Sequence, residues 1–200
     1  MSNDSARIAG LVGSRICHDL VSPVGAISNG LELIALAGQP GPDEMALISQ
    51  SCTSATARIN LFRMAFGAAS ADQQIGGAEA RKLLTGYCAG SRLSIDWLPS
   101  GDAERRDMQL AMLAALCCES ALPLGGKVSV TEDGSGWRIT GLGPRLHIEP
   151  AVWALLSGGA LPEDLAPARV QFALLGALAP ERGRKLEVST GEAAVSVAIA

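Results

Sequence analysis

The sequence predicts an α + α/β fold: a helical hairpin that forms a dimeric four-helix bundle, followed by an α/β sandwich. Three observations predict it. From Ile8 to Phe66 apolar residues recur every three or four positions. A single Gly/Pro cluster, Gly38-Gln-Pro-Gly-Pro42, interrupts that stretch. Beyond about Ile75, helical stretches alternate with short runs of period two. The boundary lies near residue 72, with a hairpin over 1–72 and an α/β domain over 73–200.

The first helix is read from about Ile8 to Leu36, where Val12, Ile16, Leu20, Val24, Ile27, Leu31 and Ile34 form one stripe. The Gly/Pro cluster stops it, and Asp43 is positioned to cap the next helix. There Met45, Ile48, Cys52, Ala55, Ile59, Phe62 and Phe66 alternate between steps of three and four, the spacing of coiled-coil-like packing. Two helices joined by a short turn run antiparallel and bury too little surface to be stable alone. A second copy of the chain completes a four-helix bundle. The alternative is that the hairpin packs on the rest of its own chain. Further on, helices are expected at Ala78–Cys88, Ala103–Leu122 and Ala166–Leu178, and a strand at Leu93–Leu98. Hairpins are expected at Val128–Thr131 with Trp137–Thr140, around Asp133-Gly-Ser-Gly136, and at Lys185–Ser189 with Ala194–Ile199.

Composition narrows the function classes. At 48% apolar and 18% charged the chain is not disordered, and its net charge of −4 argues against nucleic acid as a partner. No apolar run reads as a membrane span, and the start Met1-Ser-Asn-Asp-Ser-Ala-Arg has no secretory pattern. The five cysteines (Cys17, Cys52, Cys88, Cys117 and Cys118) have no metal-site spacing and read as reduced, small core residues of a cytoplasmic protein.

The most informative segment is Arg15-Ile-Cys-His-Asp-Leu-Val-Ser-Pro23. Each residue turns a helix by about 100°, so His18 lies nearly opposite the stripe. It shares its face with Leu11, Ser14, Arg15, Ser22, Gly25 and Asn29. His18 is therefore expected in solvent among small residues that let another protein approach. Counting through the turn puts His18 level with about position 62, hence near Arg63, with Arg58 a turn away. Pro23 removes the hydrogen bond to the Asp19 carbonyl and is expected to kink the helix. The second histidine, His147, has no such surroundings and reads as a surface residue.

His18-Asp-Leu-Val-Ser-Pro23 resembles the phosphoacceptor box of sensor histidine kinases, His-Glu/Asp-Leu-x-Thr/Ser-Pro. The α/β region resembles in outline the ATPase domain of those kinases, but its nucleotide motifs are missing. Ala115 and Glu119 stand where two asparagines are expected, one of them a magnesium ligand. The Asp-x-Gly-x-Gly motif is reduced to Ile139-Thr-Gly-Leu-Gly143, and Gly158-Gly159 is at most a trace of the phosphate loop. A histidine box on a dimerising hairpin, followed by a degenerate histidine-kinase-type ATPase domain, resembles the ChpT family of histidine phosphotransferases. The likeness spans nearly the whole chain, and Arg63-Met-Ala-Phe-Gly-Ala68 adds to it.

The resemblance implies a phosphorelay protein that carries phosphate between receiver-domain aspartates on His18, without binding ATP. Asp19 would orient the ring or manage its proton, Arg15 and Arg63 would support charge, and Ser22, Gly25 and Asn29 would meet the receiver. Implied partners are a second copy of the chain, the receiver of a hybrid histidine kinase, and response regulators of the CtrA and CpdR kinds. No membrane or nucleic acid is implied, and no cofactor or metal is bound by this chain; the receiver would bring Mg²⁺. An imidazole of ordinary pKa, about 6.5, is mostly free to attack at cellular pH. Two rivals remain: a divergent kinase that still binds nucleotide, and a non-catalytic dimeric scaffold or antagonist that binds a receiver or kinase.

Overall fold

The chain is described by a computed structural model covering residues 3–70, 72–134 and 136–200. Met1, Ser2, Ala71 beside the expected domain boundary, and Ser135 at the tip of the expected hairpin lie outside the described residues. Helix α1 runs from Asn3 to Ala37, unbroken through Pro23. It stops where Gly38 adopts a left-handed φ of 80° and its N–H donates to the Ile34 carbonyl. Helix α2 (Pro42–Phe66) begins with Gly41 as cap and Pro42 in the first turn. Asp43 is therefore not the cap. Proline is preorganised for the first helical position, and the acid sits within that turn, against the helix dipole.

The α/β region begins with β1 (Gln74–Gly76) and α3 (Gly77–Cys88), then β2 (Leu93–Trp97) and β3 (Asp102–Glu104). Helix α4 (Arg105–Ser120) and the hairpin β4 (Gly126–Asp133) and β5 (Gly136–Leu142) follow. A short α5 (Pro150–Trp153) continues as a 3₁₀ turn over Ala154–Ser157. A second 3₁₀ turn at Pro167–Arg169 leads into α6 (Val170–Glu181), and the hairpin β6 (Leu186–Thr190) and β7 (Ala194–Ile199) ends the fold. The sheet order is β2-β4-β5-β7-β6, with β2 parallel to β4 and every other pair antiparallel.

Two expected helices are shorter at their starts. Asp102–Glu104 pairs with β1 as a two-stranded ribbon, and the Arg105 N–H donates to Gln73 O at 2.8 Å. The first turn expected at Ala166 is instead the 3₁₀ turn at Pro167–Arg169.

Helix α4 organises the core. Met108 to Cys118 are all buried, on every side of the helix. A helix apolar all round must be covered all round. The sheet covers it with Val128, Val130, Ile139, Val195 and Val197, and α6 adds Phe172 and Leu175. Helix α2 joins the same core through Leu61, Met64 and Ala65. The far end of the hairpin thus rests on its own chain, as the alternative reading had it. The turn into β4 requires glycine: Gly125 and Gly126 have φ of 87° and 150°, and a Cβ would strike the backbone carbonyls of Arg92 and Leu142.

The other end of the hairpin is bare. Val24, Leu31, Met45 and Ile59, all members of the two stripes, stay exposed in the single chain. Cys17 and Cys52 are exposed as well, so these two are not core residues; Cys117 and Cys118 are. Contrary to the expectation of no spanning run, Asp4–Ala37 is long and apolar enough to cross a membrane by length and composition. In this fold that helix packs on α2, and its Arg7 and Arg15 donate to the carbonyls of Pro162 and Ala168.

Candidate functional site

The 3.6-residue period puts His18 on the outer face of α1, where its side chain is 85% exposed. Its Nδ1 lies 3.1 Å from Asp19 Oδ1. A carboxylate only accepts, so Nδ1 carries a hydrogen, and in the neutral ring Nε2 keeps its lone pair. Asp19 Oδ2 accepts from Arg15 Nε at 2.6 Å, and both side chains are nearly enclosed, at 13% and 11% exposure. Arg15 Nη1 donates to Ala168 O at 2.9 Å, reaches Gln171 Oε1 at 3.5 Å, and the guanidinium stacks on Phe62 at 5.6 Å. One polar chain thus runs from the exposed imidazole through Asp19 and Arg15 into α6.

The structure brings His18, Asp19 and Arg15 together, but Arg15 is buried and turned toward α6, away from the open face. The same one-turn spacing that sets it beside His18 lets it bond Asp19 at i+4, and the bonds to Ala168 and Gln171 draw it inward. Ser22 and Asn29 are exposed, and a Cβ on Gly25 would meet nothing within 4 Å. Arg63 is not with them. It lines a cavity on the α3 side of α2 with Glu79 and Lys82. His147 is exposed, 3.8 Å from Glu149.

Beside His18 a cavity of about 660 Å³ opens between the hairpin and the α/β region. Its walls include Arg15, His18, Asp19, Arg58, Tyr87, Arg92, Glu119 and Gln171. Tyr87 donates its hydroxyl to Glu119, at 3.0 Å from Oε1 and 3.1 Å from Oε2, and Arg58 stacks on the Tyr87 ring at 5.8 Å. Sequence reasoning missed Tyr87 and treated Glu119 only as a missing asparagine. The one available signal was an acid near the end of an otherwise apolar helix.

Burial raises the Glu119 carboxyl above the usual range; the Tyr87 hydroxyl and the Arg15 and Arg58 charges oppose this, while Asp19 adds to it. The folded chain then holds this proton more tightly than the unfolded chain. Stability contributed at low pH is lost as pH rises from about 4.3 toward the raised folded value. Glu119→Gln keeps an acceptor for Tyr87 and removes that slope. Denaturant midpoints measured between about pH 4 and pH 7 should fall for the wild type relative to the Gln variant. Parallel curves would refute the assignment.

The residues at the expected nucleotide positions do not fit Mg·ATP. Ala115 is enclosed in the core and has no polar side chain. Both Glu119 oxygens accept from Tyr87. Ile139 is fully buried in β5, paired with Val130 and Val197. Gly158 and Gly159 close the 3₁₀ turn, with the Gly159 N–H donating to Ala154 O.

Comparison with known proteins agrees with this architecture. The model of the histidine phosphotransferase C-terminal domain matches residues 77–194. Protein phosphotransferase ChpT of Brucella abortus (strain 2308) is 36% identical over 192 residues, covering 90% of this chain and 89% of that protein. The chain belongs to the ChpT family of histidine phosphotransferases. A solved bacterial phosphotransferase superposes on it with a TM-score of 0.82 at 32% identity, covering 100% of this chain and 98% of that one. As a ChpT-family member the chain is a phosphotransferase of a phosphorelay, built as a helical hairpin followed by an α/β sheet domain.

Proposed function

We propose that His18 is the phosphoacceptor and that the chain relays a phosphoryl group between receiver-domain aspartates without ATP. One observation carries this reading: an exposed imidazole whose Nδ1 is engaged by Asp19 while Nε2 has no partner among the described residues. Nε2 attacks the phosphorus of a phosphoaspartate in line. The N–P bond forms as the acyl-phosphate P–O bond breaks, and the electron pair returns to the receiver's carboxylate. The ring becomes positively charged and the Asp19 carboxylate balances it; the Nδ1 proton then leaves through Asp19 to water. Onward transfer is the reverse, with a second receiver's aspartate as nucleophile.

Arg15 acts at one remove, holding Asp19 in place from below. Ser22, Gly25 and Asn29 continue the His18 face and form the docking surface for the receiver. The receiver supplies Mg²⁺, and this chain supplies nucleophile and orientation. Partners of this reading are the receiver of a hybrid histidine kinase as donor, response regulators of the CtrA and CpdR kinds as acceptors, and a second copy of this chain. The protein acts in the cytoplasm. The test is label transfer from a phosphorylated receiver: the labelled chain should carry phosphate that is acid-labile and base-stable.

The bare apolar face of Val24, Leu31, Met45 and Ile59 supports the dimer, because such stripes complete a four-helix bundle when doubled. Light scattering at micromolar concentration should give twice the chain mass, and Val24→Glu with Ile59→Glu should give a monomer. A wild-type monomer would refute the bundle. Calorimetric titration with Mg·ATP should give no heat of binding, because Ala115, Glu119 and Ile139 offer the nucleotide nothing. Low-micromolar affinity would reinstate the divergent-kinase reading.

A further inference from the structure

We propose that Arg58 is the cation that meets the phosphoryl group on His18, and that Tyr87 and Glu119 hold it there. The proposal rests on His18 being the phosphoacceptor. A phosphoryl group brings nearly two negative charges and three acceptor oxygens to an exposed imidazole. Arg15 is largely committed elsewhere: its side chain is nearly enclosed, and its Nε and Nη1 serve Asp19, Ala168 and Gln171. Arg63 faces the cavity on the α3 side of α2.

Arg58 is placed for the task. It lines the cavity that holds His18 and Asp19, and also the adjoining one that holds Ser22 and Pro23. It therefore flanks the turn of α1 that begins with His18. The hairpin register agrees. Arg15 stacks on Phe62, and a Cβ on Gly30 would press on Ile48, which sets the His18 turn opposite the turn of Arg58.

The guanidinium is fixed without spending its donors. Its face lies on the Tyr87 ring at 5.8 Å, which leaves the N–H edge free. Among the described residues Arg58 makes no hydrogen bond or ion pair, and its Nε is enclosed without a partner. An unpaired enclosed donor is costly, and turning the guanidinium edge toward an arriving anion relieves that cost. Tyr87 is anchored in turn by both oxygens of Glu119. Glu119, which stands where the resemblance to kinases puts an asparagine, here braces an arginine on the hairpin.

The test loads the histidine chemically. Phosphoramidate phosphorylates an exposed imidazole: the Nε2–P bond forms, the donor's P–N bond breaks and ammonia leaves. Phosphorus NMR of the full chain then follows ionisation of the attached phosphoryl group with pH. A cation beside it favours that ionisation and lowers its midpoint, so Arg58→Ala should raise the midpoint by about one pH unit. The same variant should slow transfer to a receiver by roughly tenfold or more. Arg58→Lys should restore most of the midpoint, and Tyr87→Phe, which keeps the ring but releases Glu119, should slow transfer partially. Arg92→Ala, which removes another charge from the lining of the same cavity, should change neither. The proposal is overturned if phospho-His18 titrates alike in wild type and Arg58→Ala, or if Arg92→Ala shifts it as much. If phosphoramidate leaves His18 unlabelled, the phosphoacceptor reading fails and takes this proposal with it.

Discussion

His18→Ala abolishes phosphate uptake from a phosphorylated receiver and leaves the melting temperature where it was. Uptake is lost completely because, among the described residues, the other histidine, His147, pairs with Glu149 and lies outside the cavity. Stability is kept because the side chain is 85% exposed and its one polar contact among the described residues is to a neighbour that Arg15 also holds. Exposed substitutions of this kind shift stability by no more than about 0.5 kcal/mol. Labelled receiver, a filter assay and a thermal melt on the same preparation read both halves. Uptake by the Ala variant, or its unfolding, would return the chain to the scaffold reading.

Arg15→Ala has the opposite signature: a large loss of stability together with slower transfer. The substitution strips Asp19 of its arginine partner in a site where both side chains are nearly enclosed, and it cuts the bonds from α1 to Ala168 and Gln171. Removing one member of a buried pair leaves the other charge uncompensated. A cost of about 3 kcal/mol is expected, toward the low end for such pairs because the site retains some solvent contact. For a chain of this size that lowers the melting temperature by roughly 6–12 °C. Asp19, no longer held, orients the imidazole less often, so transfer slows even in the folded fraction. Arg15→Lys keeps the charge but loses the planar fork that serves Asp19 and Ala168 together, and should fall between. A melting temperature unchanged in Arg15→Ala would show that the polar chain from His18 to α6 does not hold the two regions together.

Particular residues show how far local pattern reaches. The 3.6-residue period was enough to put His18 outward, because side-chain direction on a helix follows from backbone geometry alone. The end of α1 at Gly38 was legible for the same reason, since one glycine supplies both the stop and the left-handed turn. Asp43 was misread as a cap because Pro42 competes for the helix start on equal local grounds. The ribbon of β1 and β3 escaped because three-residue strands show no alternation; only the pairing of Ile75 with Ala103 makes them strands. Cys17 and Cys52 lie in apolar stretches, yet pattern alone does not say whether a face will be covered.

Taken alone, the sequence determined the hairpin, the order of most α/β elements, the outward direction of His18 and which side chains stand at the expected nucleotide-motif positions. Each of these depends on residues within one or two helical turns or on the identity of a single side chain. The tertiary structure alone decided what surrounds the histidine. Arg15 turns inward to a carbonyl 153 residues away in the chain. Arg58 comes to the cavity in place of Arg63, and Glu119 on α4 meets Tyr87 on α3. A helical wheel fixes the direction of a side chain relative to its own axis. Which groups it meets depends on how separate helices pack, and that is set by the shared core around α4 rather than by any local run of residues.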